Sequence, residues 1–203
     1  MSAKLRGKAK NLLRRRVAVG RLLRDRGDAL VVTGLGSPTY DVAAAGDTPL
    51  NFYLWGAMGG AAMTGLGLAL VQPERRVVVV TGDGEMLMGV GSLATIACER
   101  PPNLAVIVID NEHYGETGMQ PTHTGRGVDL TGMARAAGFK EAMTVRTTQE
   151  LERFARKLFA AKGPLFADVK VSTEPDPVCL PPRDGPYLRS RFRQAILGAK
   201  AHQ

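Results

Sequence analysis

Two apolar, β-branched runs joined by a helix-length segment constrain the fold of this chain more than any other feature. Residues 77–81 (VVVVT) and 104–109 (LAVIVI) have the composition of strands buried on both faces of a parallel sheet. Residues 86–100 have apolar spacing suited to one helix, which the following pair of prolines would end. Parallel strands joined by a helical crossover end at the same edge of the sheet, where α/β proteins bind ligands. The stretch predicts an α/β fold, a doubly wound parallel sheet flanked by helices, with a ligand site at that edge.

Two oxygen-bearing side chains follow these predicted strands. Asp83 comes shortly after the first run and Asn111 shortly after the second. Carboxylate and amide oxygens suit a hard cation such as Mg²⁺ or Ca²⁺, which usually also binds water and ligand phosphate. Gly82 and Gly84 let the backbone approach such a ligand closely, and a helix beginning near Glu85 points free N–H groups at an anion. The pattern predicts one small site for a metal ion and a diphosphate.

The spacing of these residues resembles the signature of thiamine diphosphate-dependent enzymes. In that family Gly-Asp-Gly is followed some two dozen residues later by Asn-Asn, and here residues 82–84 (Gly-Asp-Gly) are followed at that distance by residues 110–111 (Asp-Asn). Asp110 replaces the first Asn, which is a departure, whereas the position that binds the metal in the family is intact. The resemblance implies thiamine diphosphate and Mg²⁺ as cofactors in a diphosphate-binding domain. The implied metal ligands are Asp83, Asn111 and the backbone carbonyl of His113. The alternative is an ordinary strand–turn–helix connection with a capping Asp.

Residues 52–71 form a second informative stretch, which is apolar and contains five glycines. It is long enough to span a membrane, but in this context we expect a buried helix whose glycines allow close packing. Residues 55–59 (WGAMG) resemble the family segment that lies upstream of Gly-Asp-Gly. That resemblance implies that the carbonyl of Gly56 binds the aminopyrimidine of the cofactor and that Met58 props the cofactor into its bent shape. Ordinary core packing is the alternative role for Met58.

A Gly/Ser/Thr turn at residues 34–39 follows a short predicted strand at residues 29–33. Such a turn can donate N–H and hydroxyl groups to phosphate, and it can equally be only a turn. In the resembled family, a turn at the corresponding place contacts the diphosphate. Gly36 and Ser37 are therefore candidate cofactor-binding residues.

Residues 112–124 continue the metal end of the predicted site. Tyr114 and Gly115 are candidates for contact with the cofactor, and the polar, Gly-rich residues 115–124 predict a loop over the active site. The side chain of His113 is a candidate catalytic base. Gln120 and His123 are candidates for contact with substrate. The alternative for each of these side chains is exposure to solvent.

The positive charge of the chain is concentrated at its start. The chain carries 27 Lys and Arg against 19 Asp and Glu, and residues 1–30 hold ten of the former and two of the latter. We expect a basic N-terminal helix within residues 1–28, on the apolar stripe Leu12, Leu13, Val17, Val19, Leu22 and Leu23. Such a helix can contact nucleic acid or a membrane, but no aromatic or Gly-rich nucleic-acid motif accompanies it. We expect a helix that faces solvent or a subunit, with no nucleic-acid or membrane partner.

The remaining sequence predicts structural elements. Residues 130–137 read as a helix capped by Asp129 and ended by Gly138, and residues 141–145 and 165–171 as strands. Residues 147–150 (TTQE) form a capping box for a helix that runs to about residue 162. Residues 175–186 read as a Pro-rich arm and residues 187–197 as a basic helix. Cys98 and Cys179 are isolated, which argues against a disulfide framework or a zinc site. We interpret residues 1–203 as one diphosphate- and Mg²⁺-binding domain of a cytoplasmic protein, because no secretory apolar segment follows the basic start.

The resemblance also implies a partner. Enzymes that use thiamine diphosphate combine a domain for the diphosphate with a second domain, which binds the aminopyrimidine and supplies a catalytic Glu. A further domain needs roughly a hundred residues, more than the chain has left. The segments NFYLWGAMGGA, GDGEMLM and YGETGMQPTHT resemble the β subunit of split sulfopyruvate decarboxylases and the same region of phosphonopyruvate decarboxylases. We therefore expect an α subunit that carries the second half-site, and two copies of each subunit as the smallest assembly.

The function that the resemblance implies is decarboxylation of a small anionic 2-oxo acid such as sulfopyruvate or phosphonopyruvate. Two alternatives remain at this point. One is a carboligase or lyase subunit that uses the same cofactor to make or break a carbon–carbon bond. The other is a non-catalytic module that only binds a cofactor or nucleotide.

Overall fold

A computed structural model describes residues 12–202 of the chain, and the first eleven residues of the predicted N-terminal helix lie outside this range. Strands in this part of the chain are β1 (Leu30–Thr33), β2 (Asn51–Tyr53), β3 (Val77–Gly82), β4 (Leu104–Asp110), β5 (His113–Tyr114), β6 (Gln120–Pro121), β7 (Glu141–Val145) and β8 (Leu165–Lys170). Six of them form a parallel sheet in the order β2–β1–β3–β4–β8–β7, and β5 and β6 form a separate antiparallel hairpin. The predicted doubly wound parallel sheet is confirmed.

The order of the strands reverses beside β1. From β1 the chain passes to β2 on one side, and it then returns to β3 on the other side of β1. Open α/β sheets bind ligands outside the carboxyl ends of the strands that flank such a reversal. The segments that follow β1 and β3 are residues 34–36 and the helix that begins at Asp83. These segments are among those that the sequence marks as candidate ligand contacts.

Helices cover both faces of the sheet. They are α1 (Arg15–Leu23), α2 (Ser37–Ala44), α3 (Ala61–Val71), α4 (Asp83–Met88), α5 (Ser92–Glu99), α6 (Leu130–Ala137), α7 (Thr148–Leu158) and α8 (Gly185–Leu197). Alternate residues of a strand point to opposite faces, so Val78 and Val80 pack beneath α1, α2 and α7. Val77 and Val79 pack on the other side beneath α3, α5 and α6. The two apolar layers hold the carboxyl ends of β1, β3 and β4 at one edge.

Several local predictions are confirmed at the level of hydrogen bonds. The hydroxyl of Thr147 accepts from the N–H of Glu150 at 3.2 Å, and the carboxylate of Glu150 accepts from the N–H of Thr147 at 3.0 Å. This capping box starts α7, which ends at Leu158, earlier than predicted. Helix α6 has the predicted bounds and ends at Gly138 with φ of 114°, but the side chain of Asp129 makes no capping hydrogen bond.

The prediction of one buried helix over residues 52–71 was wrong. Residues 52–53 belong to β2, residues 54–60 form a turn, and only Ala61–Val71 is helical. Gly56 and Gly59 have φ of 81° and 89°, a conformation that ends a helix and that glycine adopts without strain. The expectation that glycine allows close packing is confirmed within α3, since a Cβ on Gly65 would lie 2.2 Å from the side chain of Val79. These glycines therefore serve partly to build a turn and partly to let a helix approach the sheet.

The prediction of a continuous helix over residues 86–100 was also wrong. Helix α4 begins at Asp83, earlier than predicted, and a break at residues 89–91 separates it from α5. A Cβ on Gly89 would lie 2.1 Å from the carbonyl oxygen of Gly59. The break therefore lets the end of α4 pack directly against the backbone of the turn at residues 54–60.

Two predicted loops contain regular structure. The turn after β1 is shorter than predicted, because α2 begins at Ser37 with Pro38 in its first turn. Residues 113–121 form the β5–β6 hairpin, and the 3₁₀ turn Thr124–Arg126 follows it. The segments that approach the carboxyl edge are thus a helix start and a hairpin.

The two ends of the described chain pack on the sheet. Helix α1 is shorter than predicted, and Val17 of the predicted apolar stripe is 68% exposed, whereas Arg15 is buried. Helix α8 begins inside the predicted arm and lies along β2. There Arg191 binds Asp47 through two hydrogen bonds of 2.8 Å and donates to the carbonyl of Asn51 at 3.5 Å. Phe192 packs on Phe52 with ring centroids 5.3 Å apart. No helix within residues 12–202 has both the length and the apolar character that crossing a bilayer requires.

Candidate functional site

A cavity of about 260 Å³ opens at the carboxyl edge of β1, β3 and β4. It brings together every predicted site residue except Gly56, Gln120 and His123. The predicted residues that line it are Gly36, Ser37, Met58, Gly82, Asp83, Gly84, Glu85, Asn111, His113, Tyr114 and Gly115. Residues from four separate segments (36–37, 58, 82–85 and 111–115) therefore meet where the sequence predicted a ligand.

Gly56 and Gln120 do not line this cavity. Gly56 lies in the turn after β2, and Gln120 is exposed on β6, where its amide oxygen accepts from the hydroxyl of Thr117 at 3.3 Å. His123, the other predicted contact for substrate, is also exposed and outside the cavity. Within this chain, the β5–β6 hairpin presents His113 and Tyr114 to the cavity and points Gln120 away from it.

One side of the cavity is formed by Asp83, and behind it lies a cluster of buried carboxylates, hydroxyls and one ammonium group, which together with Asp83 we call the acid edge (Asp83, Asp110, Thr122, Thr124, Asp168 and Lys170). Of this cluster, Asp83 is the residue that lines the cavity. Oδ2 of Asp83 accepts hydrogen bonds from the hydroxyls of Thr122 and Thr124, the latter at 3.1 Å. The hydroxyl of Thr124 also lies 2.9 Å from Oδ1 of Asp110. Neither Asp83 nor Asp110 is more than 2% exposed. The hydroxyl of Thr124, at the start of the 3₁₀ turn, thus joins Asp83 after β3 to Asp110 at the end of β4.

Lys170 is the cation of the acid edge. It faces Asp110 across the register of β4 and β8, and its ammonium group donates to Oδ2 of Asp110. The same ammonium lies 3.5 Å from a carboxylate oxygen of Asp168, which is also buried. Two buried carboxylates therefore share one buried ammonium group, and Asp83 has no ion pair among the described residues.

This imbalance shifts the ionisation of the acid edge. Burial, and then the negative charge of Asp110, raise the pKa of Asp83 to about 6 and that of Asp168 to about 7. Burial alone would lower the pKa of Lys170, but the carboxylates of Asp168 and Asp110 raise it above its ordinary value. The acid edge therefore favours added positive charge.

The turn after β4 presents further oxygen atoms. Oδ1 of Asp110 accepts from the N–H of Glu112 at 2.8 Å, and Oδ1 of Asn111 accepts from the N–H of His113 at 2.9 Å. Nδ1 of His113 lies 2.9 Å from the carbonyl oxygen of Asn111 and donates to it, which leaves Nε2 as the acceptor of the ring. Asp110 thus fixes the turn that carries Asn111 and His113.

The opposite wall, which we call the glycine side (residues 34–37 and 54–60), is formed mainly by backbone. A Cβ on Gly34 would lie within 1.8–2.0 Å of the carboxylate of Glu85. That carboxylate is buried and accepts from the N–H of Leu35 at 3.2 Å. Burial raises the pKa of Glu85, and the hydroxyl of Thr81 and the N–H groups of Leu35, Gly59 and Ala61 oppose the shift. Glu85 therefore links the start of α4 to the turn after β1.

The hairpin closes the cavity from above. A Cβ on Gly84 would lie 2.4 Å from the ring of Tyr114, so only glycine fits between the start of α4 and the hairpin. At the hairpin tip, the carboxylate of Glu116 accepts from the hydroxyl of Ser37 at 3.4 Å and from that of Tyr40 at 3.5 Å. The tip thus lies over the N-terminus of α2.

Sequence reasoning missed Arg15 and Ile109, which also line the cavity. Arg15 is 8% exposed and lies 2.6 Å from a carboxylate oxygen of Asp41. The sequence places Arg15 in a run of three arginines, and no local signal indicates which of them turns inward. Ile109 ends a buried run, where its position next to Asp110 was the available signal.

The residues present fit a hard cation with a phosphate ligand. Among residues 12–202 no cluster of three or more His, Cys, Asp or Glu side chains forms a metal site by itself. Asp83, Asn111 and the carbonyl of His113 offer fewer oxygen ligands than a hard cation binds. This suits a cation whose remaining ligands are water and phosphate. Among the described residues Asp83 forms no ion pair with a lysine or arginine, so its carboxylate can balance part of the charge of a cation bound in the cavity.

Comparison with known proteins gives relatives at substantial identity. The chain is 38% identical over 188 residues to the sulfopyruvate decarboxylase subunit beta of Methanothermobacter thermautotrophicus, which covers 93% of this chain and 98% of that protein. It is 38% identical over 144 residues to the phosphonopyruvate decarboxylase of Streptomyces viridochromogenes, covering 71% of this chain and 36% of the relative. The chain therefore spans nearly all of one relative and about a third of the other.

A solved structure shares the fold. Benzoylformate decarboxylase from Polynucleobacter necessarius superposes with a TM-score of 0.68 at 20% identity, covering 82% of this chain and 34% of that enzyme. The family model of the thiamine pyrophosphate enzyme C-terminal TPP-binding domain matches residues 35–169. That range contains every predicted site residue, together with the acid edge and the glycine side apart from Gly34 and Lys170. The chain belongs to the family of thiamine pyrophosphate enzymes, of which it contains the C-terminal cofactor-binding domain.

Proposed function

We propose that this chain is the diphosphate-binding β subunit of a split thiamine diphosphate-dependent decarboxylase that acts on a small anionic 2-oxo acid. The observation that carries the proposal is its likeness to a sulfopyruvate decarboxylase β subunit over 98% of that subunit's length. Sulfopyruvate and phosphonopyruvate are the substrates that the names of the relatives suggest. Both are 2-oxo acids with a second acidic group.

Asp83, Asn111 and the carbonyl of His113 are the residues that we assign to Mg²⁺. The hydroxyls of Thr122 and Thr124 both bind Oδ2 of Asp83, so Oδ1 is the oxygen that we assign to the cation. Oδ1 of Asn111 accepts one N–H bond and, as an amide oxygen, retains a second lone pair. Asp110 is engaged by Lys170, Thr124 and Glu112, so it orients the turn rather than binding the metal.

The diphosphate is assigned to the space between the two walls. Gly36 and Ser37 start α2, whose free N–H groups favour an anion. Gly84 keeps the start of α4 open between Asp83 and the ring of Tyr114. Thiamine diphosphate, when bound, supplies the nucleophile and electron sink through which a 2-oxo acid loses CO₂. The chain's own residues orient this group, clamp its metal and exclude water.

A partner is proposed because, among residues 12–202, the glutamates around the cavity are not placed to serve the aminopyrimidine. Glu85 is buried against Gly34 and Leu35, and Glu116 lies at the hairpin tip over α2. Glu112 lies 3.6 Å from Lys170, at the metal end. These three positions support the proposal that the catalytic Glu comes from an α subunit, and we propose at least two copies of each subunit.

The test is reconstitution. The purified chain is assayed with thiamine diphosphate, Mg²⁺ and sulfopyruvate or phosphonopyruvate, with and without a coexpressed α subunit, and CO₂ release is measured. We expect turnover only when both subunits are present. Efficient turnover by the chain alone would refute the split enzyme. Carbon–carbon bond formation in place of CO₂ loss as the end product would favour a carboligase, and cofactor binding without turnover would favour a binding module.

A further inference from the structure

Arg15 is a buried cation that lies 2.6 Å from Asp41 and 3.7 Å from Asp176, and it also lines the cavity, where the proposed metal site gives it no role. Three arginines in a row, Arg14, Arg15 and Arg16, stand at the start of α1, which has no acidic residue in its first turn. Positive side chains at this end of a helix oppose its dipole, so helix stability does not favour them there. Of the three, Arg15 is the one that reaches the cavity.

Arg15 and Arg16 make a natural comparison because they bind the same carboxylate. Nε of Arg15 lies 2.6 Å from Oδ2 of Asp41, and Nε of Arg16 lies 3.1 Å from Oδ1. Asp41 is fully buried on α2. The side chain of Arg15 is 10% exposed and lines the cavity, whereas that of Arg16 is 25% exposed and extends to the carbonyl of Pro177. Asp41 thus positions Arg15 beside the cavity while Arg16 supports Asp41 from outside.

The charges that line the cavity complete the argument. Its acidic side chains are Asp83, Glu85 and Glu116, and among the described residues Arg15 is its only lysine or arginine. A diphosphate or an acidic substrate that enters this cavity gains one permanent positive charge from the chain itself. Guanidinium groups bind phosphate, sulfonate and carboxylate oxygens with paired N–H donors.

We infer that Arg15 binds an anionic oxygen of a ligand in the cavity. This inference rests on the proposed function, which supplies two sources of such an oxygen. One source is the diphosphate of the cofactor, and the other is an acidic group of the substrate. Asp41 is the positioning residue that holds the guanidinium in place.

The experiment uses the reconstituted αβ enzyme with Arg15→Gln and the matched control Arg16→Gln. The dissociation constant of thiamine diphosphate is measured by isothermal titration calorimetry with Mg²⁺ present, and KM is measured for sulfopyruvate. Because hydrogen bonds to charged groups contribute strongly to binding, Arg15→Gln should raise either the dissociation constant of thiamine diphosphate or the KM for sulfopyruvate by roughly ten- to a hundredfold. Arg16→Gln should change neither constant by more than about twofold, since Arg16 does not line the cavity. Arg15→Lys should recover part of the loss, because it keeps the charge but not the paired donors.

The two arms separate the sources. A weaker dissociation constant for thiamine diphosphate assigns the oxygen to the cofactor, and a raised KM with unchanged cofactor affinity assigns it to the substrate. If Arg15→Gln fails to fold, Asp41→Asn is added to it, so that no buried carboxylate is left with only one of its two guanidinium partners. Persistent loss of binding in that folded double variant supports the inference.

Two results would overturn the inference. Either both constants stay unchanged in Arg15→Gln, or Arg16→Gln changes them equally, which would mean that Arg15 acts only through Asp41. Failure of the proposed function is distinguishable, because the wild-type enzyme would then neither bind thiamine diphosphate nor release CO₂, and the inference would fall with it. Wild-type enzyme that binds the cofactor without releasing CO₂ still decides the inference through the dissociation constants.

Discussion

The acid edge and the glycine side of the cavity are built by opposite means. The acid edge consists of side chains, four of them ionisable, which are buried and bonded to one another. The glycine side consists of turns, in which the absence of side chains lets the backbone lie close to Glu85 and to α4. The acid edge therefore depends on contacts between side chains, whereas the glycine side depends on the lack of side chains at its glycines. Removing a side chain should damage the first wall, and adding one should damage the second.

The largest expected effect is that of Asp83→Ala on activity. Loss of this proposed metal ligand should reduce CO₂ release by the reconstituted enzyme by more than the roughly 10–100-fold that outer-shell partners of a metal cost. The free energy of unfolding should not fall, because a carboxylate whose pKa is raised to about 6 by burial does not stabilise the fold at neutral pH. Activity and urea unfolding are compared with Asp129→Ala, an exposed residue without a capping bond. Wild-type activity and Mg²⁺ dependence in Asp83→Ala would remove the acid edge from the site.

The next effect concerns the buried pair of Asp110 and Lys170. Lys170→Met should lower the free energy of unfolding by about 3–5 kcal/mol, since it leaves a buried carboxylate without its counter-charge. Adding Asp110→Asn should recover most of this loss, because the amide oxygen still accepts from Glu112 and needs no cation. Urea unfolding of both single variants and the double variant gives the coupling. Additive losses would show that the pair does not act as a unit.

Gly34→Ala tests the opposite wall. Its Cβ would overlap the carboxylate of Glu85, so we expect a loss of about 1–3 kcal/mol in the free energy of unfolding, as for other overpacked sites. Adding Glu85→Ala should restore stability without restoring cofactor affinity. Gly20→Ala is the matched control, because nothing lies within 4 Å of its Cβ position. Equal unfolding curves for Gly34→Ala and Gly20→Ala would contradict the close contact.

The smallest expected change in stability is that of Met58→Ala. Met58 lines the cavity and is 41% exposed, so within this chain it is not a core residue. Its truncation should change the free energy of unfolding by no more than about 0.5 kcal/mol, as is usual at the surface, while CO₂ release falls. Met133→Ala serves as the control, since Met133 is 40% exposed and lies on α6 outside the cavity. Activity that declines only in step with unfolding would assign Met58 a packing role.

The sequence predicted the ends of β3 and β4 better than the turn after β2, for a physical reason. Buried parallel strands are continuous apolar runs, and a polar residue at the end of such a run is visible in the sequence, as at Asp83 and Asn111. The stretch 52–71 is apolar throughout, and apolar content alone does not separate a buried strand from a helix. Gly56 and Gly59 were the available signal for a turn.

Contacts between residues that are distant along the chain could not be predicted from the sequence. Lys170 is paired with Asp110 because β4 and β8 are adjacent in the sheet and their register places these two residues side by side. Along the chain, the strands β5, β6 and β7 lie between β4 and β8. Arg15 turns inward because Asp41 of α2 is buried beneath it. The β5–β6 hairpin has strands of two residues each, too short to show any periodicity.

The position of α8 along β2 has a consequence for solubility. The last strand of a sheet exposes unpaired backbone groups that can recruit a strand from another molecule. Here α8 lies along the edge strand β2. Phe192 packs on Phe52, and Arg191 donates hydrogen bonds to the carbonyl of Asn51 and to the carboxylate of Asp47. The Pro-rich arm therefore connects β8 to the helix that covers this edge strand. A chain that ends before Gly185 would keep both walls of the cavity and lose its protection against aggregation.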